Sequence, residues 1–528
     1  MPRSKTPSFV VELLLKVSPS DSRELGIRLE MERQLYNASL GEALRTLGLV
    51  RQSRAFQAAR KLSKGKERTE AFRVVNDRYG FTSSQIQSFA TRCQKECPSI
   101  ALHTTSHDMQ TTSKRAFKAV QRHAFGKGGR PRFKGYRELN SVEGKMDACI
   151  TFRPDEKTGQ LLVKWDGLVL PVVWDDRDLD NWMYQALAEH ATKYIRILRK
   201  KLRGKDFWYA QLIQEGTSPM RSTSPVGNCV IGLDIGPSTI AAVSDTDATL
   251  ETFCPSVEVP AAEIRREQRK MDRSRRVTNP ECFNENGTYK KGTRIKVRSE
   301  GYMRIRAKKA EKERKLAAER KRSHGELCNR ILAQGTTIHT EKLSYKGWQR
   351  GRYGKSVGKR APGMFVSLLR QKAKGVGGEV VEFSTRTTKL SQVDHKTGLY
   401  TKKPLSQRGH IFQDGTRVQR DLYSAFLARF VNNDTLDISQ CHKAWASAEP
   451  LLGCAMSSGN EQGASREGFV RPHAIRGNTS DVRAACTSKQ RRELREVVDA
   501  VIAVQAAVRA TKNTRSQAAS SSSLSGGT

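Results

Sequence analysis

Three acids in this 528-residue sequence stand where they could do chemistry together: Asp234, Glu341 and Asp421. Asp234 closes a short apolar run in CVIGLDIGPSTIAAVSD (229–245), just ahead of a glycine turn and a second apolar run. Glu341 follows the β-rich run Thr336–Thr340 in GTTIHTEKL (335–343). Asp421 opens VQRDLYSAFLARF (418–430), in which Leu422, Phe426 and Phe430 share a helical face with Ala425 alongside. Each acid alone has an ordinary explanation. A DxG turn also opens the phosphate-binding hairpin of actin-like ATPases and sugar kinases, and an acid in a first helical turn is favoured by the helix dipole. Together they read differently. Three clustered carboxylates repel one another unless cations intervene, and all-oxygen donors suit hard ions such as Mg²⁺ or Mn²⁺. Two such ions can orient a water nucleophile and stabilise the leaving oxygen of a phosphodiester.

The spacings are 341 − 234 = 107 and 421 − 341 = 80 residues, so only a tertiary fold can join them. The required elements are two strands ending in acids and one helix beginning with an acid. An apolar strand with an acid at its end is how a ribonuclease-H-like sheet presents its first metal ligand.

The rest of the chain indicates the partner. Lys and Arg number 94 against 54 Asp and Glu, a net charge of +40. Fixed surface cations at that density call for a polyanion, and nucleic acid releases its condensed counterions to them. No apolar run approaches the ~20 residues of a bilayer span, and the run Phe9–Val17 is broken by Glu12 and reads as a strand. No membrane partner is expected, and the location expected is the bacterial cytoplasm, at the nucleoid when DNA is bound. The ten cysteines are scattered and read as free thiols.

Helical spacing runs from Asp21 to about Val50, and basic helix-compatible sequence continues to about His123. The loop AFGKGGRPRFKGY (124–136) follows, with Arg130, Arg132 and Lys134 as phosphate contacts and His123, Phe125 and Phe133 as stacking candidates. Strand-like runs return from residue 145, and the basic stretch Asp180–Lys201 reads as a helix interrupting them. GTSPMRSTSPVG (216–227) has the composition of a linker, and the tail SQAASSSSLSGGT that of a disordered segment.

The sequence resembles the TnpB proteins of insertion sequences and their relatives, the compact type V CRISPR effectors, over roughly residues 9–430. GLDIGPSTIAAVSD resembles the first segment of a RuvC nuclease, HTEKL the second, and QRDLYSAFLARF the third, written RDxNAAxNI in typical members. MDRSRRVTNPECFNENGTYKKG and RAKKAEKERKLAAERKRSHGELCNRIL resemble the basic bridging helices. The resemblance implies a multidomain α+β protein. A split β-barrel (wedge) domain would carry a helical recognition insertion, followed by a ribonuclease-H-like RuvC α/β domain with helical and hairpin insertions. The expected divisions are 1–20 and 135–225 for the barrel, 21–134 for the recognition helices, 226–384 and 421–510 for the RuvC-like domain, 385–420 for a target-binding insert, and 511–528 for the tail. It also implies an RNA-guided, Mg²⁺-dependent DNA endonuclease with Asp234, Glu341 and Asp421 as metal ligands. Its partners would be a guide RNA and target DNA, bound by a monomer or by a dimer on one RNA. Further nucleic-acid contacts are expected at Arg273, Arg276, Lys290, Lys291, Lys309 and Arg322. Tyr345 and Trp348 are candidates for stacking, or for anchoring a flap.

Two departures stand out. Typical members carry a zinc ribbon with two CxxC pairs before the last Asp, whereas residues 385–421 here hold no cysteine. His395, His410, Asp394 and Asp414 remain, but structural zinc favours thiolates, so no zinc is expected. The expected replacement is a metal-free hairpin whose Lys389, Arg408, Arg417 and Arg420 contact nucleic acid. The second departure is that Tyr423 and Ser424 stand for Asn and Ala in the last motif. Two other functions fit the same residues: an RNA-guided DNA-binding protein without efficient cleavage, and a transposase or accessory protein of an insertion sequence.

Overall fold

The computed structural model describes residues 6–174, 182–219, 224–295, 297–404 and 407–461. The chain forms two compact units, one ending at Pro219 and the other following it. Both mix helices with sheet. The expected tail (511–528) and most of 421–510 lie outside the described residues.

In the first unit, β1 (Ser8–Leu15) alternates as the pleat demands: Val11, Leu13 and Leu15 are buried and Val10 is exposed. Helix α1 (Pro19–Gln52) begins at once, with Ser18 and Asp21 forming a capping box and proline at its first position. Its first turns bury Leu25 and Leu29 against the sheet, and Leu40, Ala43 and Leu47 join a second, helical core. That core is completed by α2 (Arg54–Lys61), α3 (Lys66–Arg78), α4 (Ser83–Glu96), α5 (Pro98–His103) and α6 (Ser106–Ala124). The sheet then resumes with β2 (Ser141–Lys145), β3 (Ile150–Pro154), β4 (Leu161–Trp165) and β5 (Leu168–Val173). Helix α7 (Trp182–Ala188) precedes β6 (Thr192–Leu202) and β7 (Lys205–Glu215). The strand order is β2-β6-β7-β1-β5-β4-β3, antiparallel throughout.

The stretch 180–201 corrects the sequence reading, which made it one basic helix. Among the described residues of this stretch, Trp182–Ala188 is helical and Thr192–Leu202 is a strand. Ile195 and Ile197 alternate inward while Arg196 and Lys200 turn outward to Glu143 and Glu12. Pairing with β7 along the full strand makes period two win over the helix propensity of Arg, Lys and Leu.

The second unit is built on a five-stranded sheet. Strands β8 (Val230–Ile235), β9 (Thr239–Val243) and β10 (Ala248–Thr252) form an antiparallel meander. The basic helices α8 (Ala261–Thr278) and α9 (Glu300–Gln334) lead to β11 (Thr337–Glu341), which pairs parallel with β8. Helices α10 (Tyr345–Arg350), α11 (Gly354–Arg360) and α12 (Pro362–Gly375) precede β12 (Glu379–Phe383), parallel to β11. A short helix α13 (Thr385–Thr388) and the hairpin β13 (Gly409–Ile411) and β14 (Arg417–Gln419) come before α14 (Arg420–Ala428). The hairpin β15 (Val431–Asn432) and β16 (Thr435–Leu436) and helix α15 (Ile438–Glu461) close the described chain. The sheet order is β10-β9-β8-β11-β12. One face packs Ile231, Leu233, Ile235 and Ile338 against α9 and α12. The other packs Ala241 and Val243 against α14 and α15.

Candidate active site

Asp234 lies on β8 opposite Ala241 of β9, so it points to the face covered by α14 and α15. Across the parallel pair, Leu233 sits opposite Thr340, which brings Asp234 and Glu341 to the next position of adjacent strands. Parallel strands lie about 4.8 Å apart. Ile338 faces the opposite core, and His339 reaches the Ala428 carbonyl of α14 through Nδ1 (3.2 Å). The alternation therefore turns Glu341 toward α14 as well.

Helix α14 is held in register against β8. Gly232 touches it so closely that an added Cβ would lie 1.9 Å from the Ala425 carbonyl oxygen. Arg429, four residues on, donates from Nε to the Val230 carbonyl (3.2 Å), two residues back along the strand. Four helical residues rise about 6 Å and two strand residues about 6.6 Å, so the two steps keep pace. Helix and strand thus run antiparallel. Four residues before Ala425 is Asp421, and two beyond Gly232 is Asp234. The Arg429 guanidinium also pairs with Asp245, fixing the far end. Isolated glycine inside a strand is a known sign of close backbone approach, so Gly232 was the sequence signal that reading the acids alone missed.

The electrostatics agree with this register. The Asp234 carboxyl is pushed well above the ordinary carboxylate range, first by burial, then by the charges of Asp421 and Glu341, with Arg420 opposing. Glu341 is raised by burial. Burial and the two neighbouring acids thus both disfavour the charged form of Asp234. Arg420, expected as a nucleic-acid contact, is turned inward. Its side chain is 12% exposed, its Nε lies 3.5 Å from Asp421 Oδ1, and its Nη1 donates to the Gln407 carbonyl (3.1 Å).

The donor set fits a hard divalent ion in kind: oxygen only, partly buried, and mutually repelling. The three carboxylates share an electrostatic field without closing around a common point. Among the described residues, no three His, Cys, Asp or Glu side chains are arranged to hold a metal.

The cysteine-free segment has its own packing. His395 is buried in an aromatic box of Phe412, Tyr423, Phe426 and Trp445. Its amide donates to the Tyr423 hydroxyl (3.0 Å), and that hydroxyl lies 2.8 Å from His395 Nδ1. The His410 ring packs tilted against Tyr423 at 4.6 Å, with its Nδ1 against the Lys403 ammonium. Lys396 pairs with Asp414 (2.5 Å) and lies over the Phe412 ring. His395 Nδ1 is engaged by a hydroxyl, His410 Nδ1 faces a cation and Asp414 is already paired, while the Nε2 atoms of both histidines are buried without a hydrogen-bond partner. The two departures noted in the sequence meet here, since Tyr423 is the residue that reaches from α14 into the insert.

Other expected contacts divide. Arg130, Arg132, Arg273, Arg276, Lys290, Lys291, Lys389, Arg408 and Arg417 are exposed. Lys309 is half-buried and paired with Glu313, and exposed Arg322 with Glu319 and Glu326. Lys134 is half-buried over the Tyr36 ring. Tyr345 and Trp348 are half-buried and pack edge to face at 5.5 Å, with Tyr345 against the core below α12.

Among solved structures, the chain is similar to a Cas12f1–sgRNA–target DNA complex determined by cryo-EM. Identity is 12%, coverage 82% of this chain and 100% of that one, and the TM-score 0.45. It is also similar to a CRISPR-Cas12f ternary complex, at 13% identity over 79% of this chain and 82% of that one, with a TM-score of 0.23. No family model matches the chain, and no curated protein matches it.

Proposed function

We propose that the chain is an RNA-guided DNA endonuclease of the TnpB and type V effector kind. The observation that supports this reading is the electrostatic coupling of Asp234 to Glu341 and Asp421, from positions up to 187 residues apart (421 − 234). The three sequence segments that resemble RuvC motifs are the segments that supply these acids, and the net charge of +40 supports a nucleic-acid partner.

In this reading Asp234, Glu341 and Asp421 would hold Mg²⁺, which when bound would supply charge neutralisation at the scissile phosphate and activation of a water nucleophile. The residues themselves do the rest. Asp234, whose carboxyl is pushed up by burial and by its acidic neighbours, would serve as a ligand in its ionised form. The α14–β8 register keeps Asp421 over the strand end. Arg420 lies beside Asp421 and would help hold that carboxylate in place. The seven-stranded sheet with its helical insertion plays the wedge and recognition parts, binding a guide RNA that reads the target by base pairing.

The test is cleavage by the chain carrying its copurified RNA. Asp234→Ala is expected to reduce DNA cleavage by at least about 10²-fold, since even outer-shell partners cost 10–100-fold. Undiminished cleavage by that variant would end the proposal.

A further inference from the structure

A cavity of about 310 Å³ opens in the first unit, lined by Arg23, Gly26, Ile27, Glu30, Tyr136 and Arg199 among others. We propose that it is a pocket for one unpaired nucleotide of a bound single strand, with Tyr136 as its stacking surface. The inference deepens the proposed function and rests on it only in taking nucleic acid as the partner.

Tyr136 ends the basic loop and is 75% exposed. The loop is nevertheless fixed. The Lys134 amide donates to Asn37 Oδ1 (2.8 Å), and its carbonyl accepts from Asn37 Nδ2 (2.9 Å) and Arg33 Nη1 (2.8 Å). The Phe133 ring lies across Gly41 of α1. Immediately after Tyr136, Arg137 adopts φ +60°, a left-handed conformation that costs a non-glycine residue of order 1 kcal/mol or more. It is pinned on three sides. Its amide donates to Glu30, its carbonyl accepts from Arg199 (3.1 Å), and its guanidinium meets Asp206 (3.0 Å). Strain held this firmly beside an exposed ring is spent on aiming that ring.

The shape and chemistry select the occupant. A volume near 300 Å³ is at the small end for ligand sites and admits one base with its sugar, not two. The lining is apolar at Ile27, Leu29 and Leu139 and carries the cations Arg23, Arg137 and Arg199 beside the carboxylate of Glu30. A planar base stacked on Tyr136 would have its phosphates toward exposed Arg130 and Arg132 of the same loop. Base stacking on an aromatic contributes about 1–3 kcal/mol and works for any base.

Gly26 provides a clean test. It sits inside α1 with nothing within 4 Å of an added Cβ, so Gly26→Leu fills the cavity while favouring the helix. Binding of 12-nucleotide single strands carrying one 2-aminopurine is measured on the full chain across a salt series, in ribose and deoxyribose arms. Gly26→Leu and Tyr136→Ala are each expected to weaken binding about tenfold and remove the 2-aminopurine signal without changing the salt slope. Arg132→Ala is expected to lower that slope by about 0.7, the single-strand value per phosphate. The arm showing the larger loss identifies the strand as RNA or DNA. Unchanged affinity in Gly26→Leu, or equal loss with duplex lacking any unpaired base, overturns the pocket. Asp234→Ala is run alongside and retains this binding. Guided cleavage by wild type with no effect of Gly26→Leu refutes the pocket alone. Absent cleavage with a Gly26→Leu defect refutes the nuclease alone.

Discussion

Tyr423→Phe isolates what replaces a metal in the segment before Asp421. The substitution removes one oxygen and keeps the ring that packs against His410 and Phe412. That oxygen accepts from the His395 amide and lies 2.8 Å from Nδ1, and His395 and Tyr423 are 0% and 1% exposed. Two buried polar atoms therefore lose their partner. Leaving such a group unsatisfied costs about 1–3 kcal/mol, and the two share one oxygen, so a loss of about 2–3 kcal/mol is expected. For a unit of this size, 1 kcal/mol corresponds to roughly 2–4 °C in Tm, giving a drop of about 4–12 °C. The assay is thermal unfolding followed by near-UV circular dichroism, with and without a zinc-selective chelator. The chelator is expected to leave both proteins unchanged. An unshifted Tm in Tyr423→Phe, or a chelator-induced drop in wild type comparable to the mutational one, would refute a metal-free, hydroxyl-bridged insert.

Further predictions follow from the same structure. Burial holds His395 and His410 down to about 4, so both are neutral when folded and take up protons on unfolding below pH 6.5. Their contribution is complete above pH 6.5 and is lost as pH falls toward 4, by up to about 3 kcal/mol per histidine, measurable by urea unfolding at stepped pH. Asp234→Asn should stabilise the metal-free chain by about 1 kcal/mol at neutral pH, because it removes a buried acid raised by its neighbours. The raised acid makes wild-type stability fall as pH rises above the unfolded carboxylate value, and the variant should show a flatter profile. A lower Tm for Asp234→Asn in the absence of divalent ions would contradict the clustering. In the first unit, Glu32 is fully buried beside Asp108 and pushed up to about 8. Stability there falls as pH climbs from about 4.5 toward 8, and Glu32→Gln should recover part of a ceiling of about 4–5 kcal/mol at pH 9 in denaturant titrations. Gly232→Ala forces a Cβ into the Ala425 carbonyl and is expected to unfold or displace α14, abolishing cleavage, while Gly26→Ala in open space should be tolerated.

Local patterns made several elements legible in the sequence. The pleat of β1, the capping box of α1, the apolar run ending in Asp234 and the helix opening at Asp421 are written in residues next to one another, where propensity and period act directly. The net charge needs no fold at all. The strand Thr192–Leu202 was hidden because its residues suit a helix equally well, and only β7 beside it decided the matter. The hydroxyl bridge from Tyr423 to His395 and the cavity under Tyr136 depend on contacts between residues far apart in sequence. For the acids themselves, composition supplied three carboxylates on suitable elements. Only the antiparallel register of α14 on β8, set where Gly232 lets the backbones touch, decided that their charges meet. Charge and periodicity belong to the chain, whereas a shared electrostatic field requires the distances that tertiary packing alone sets.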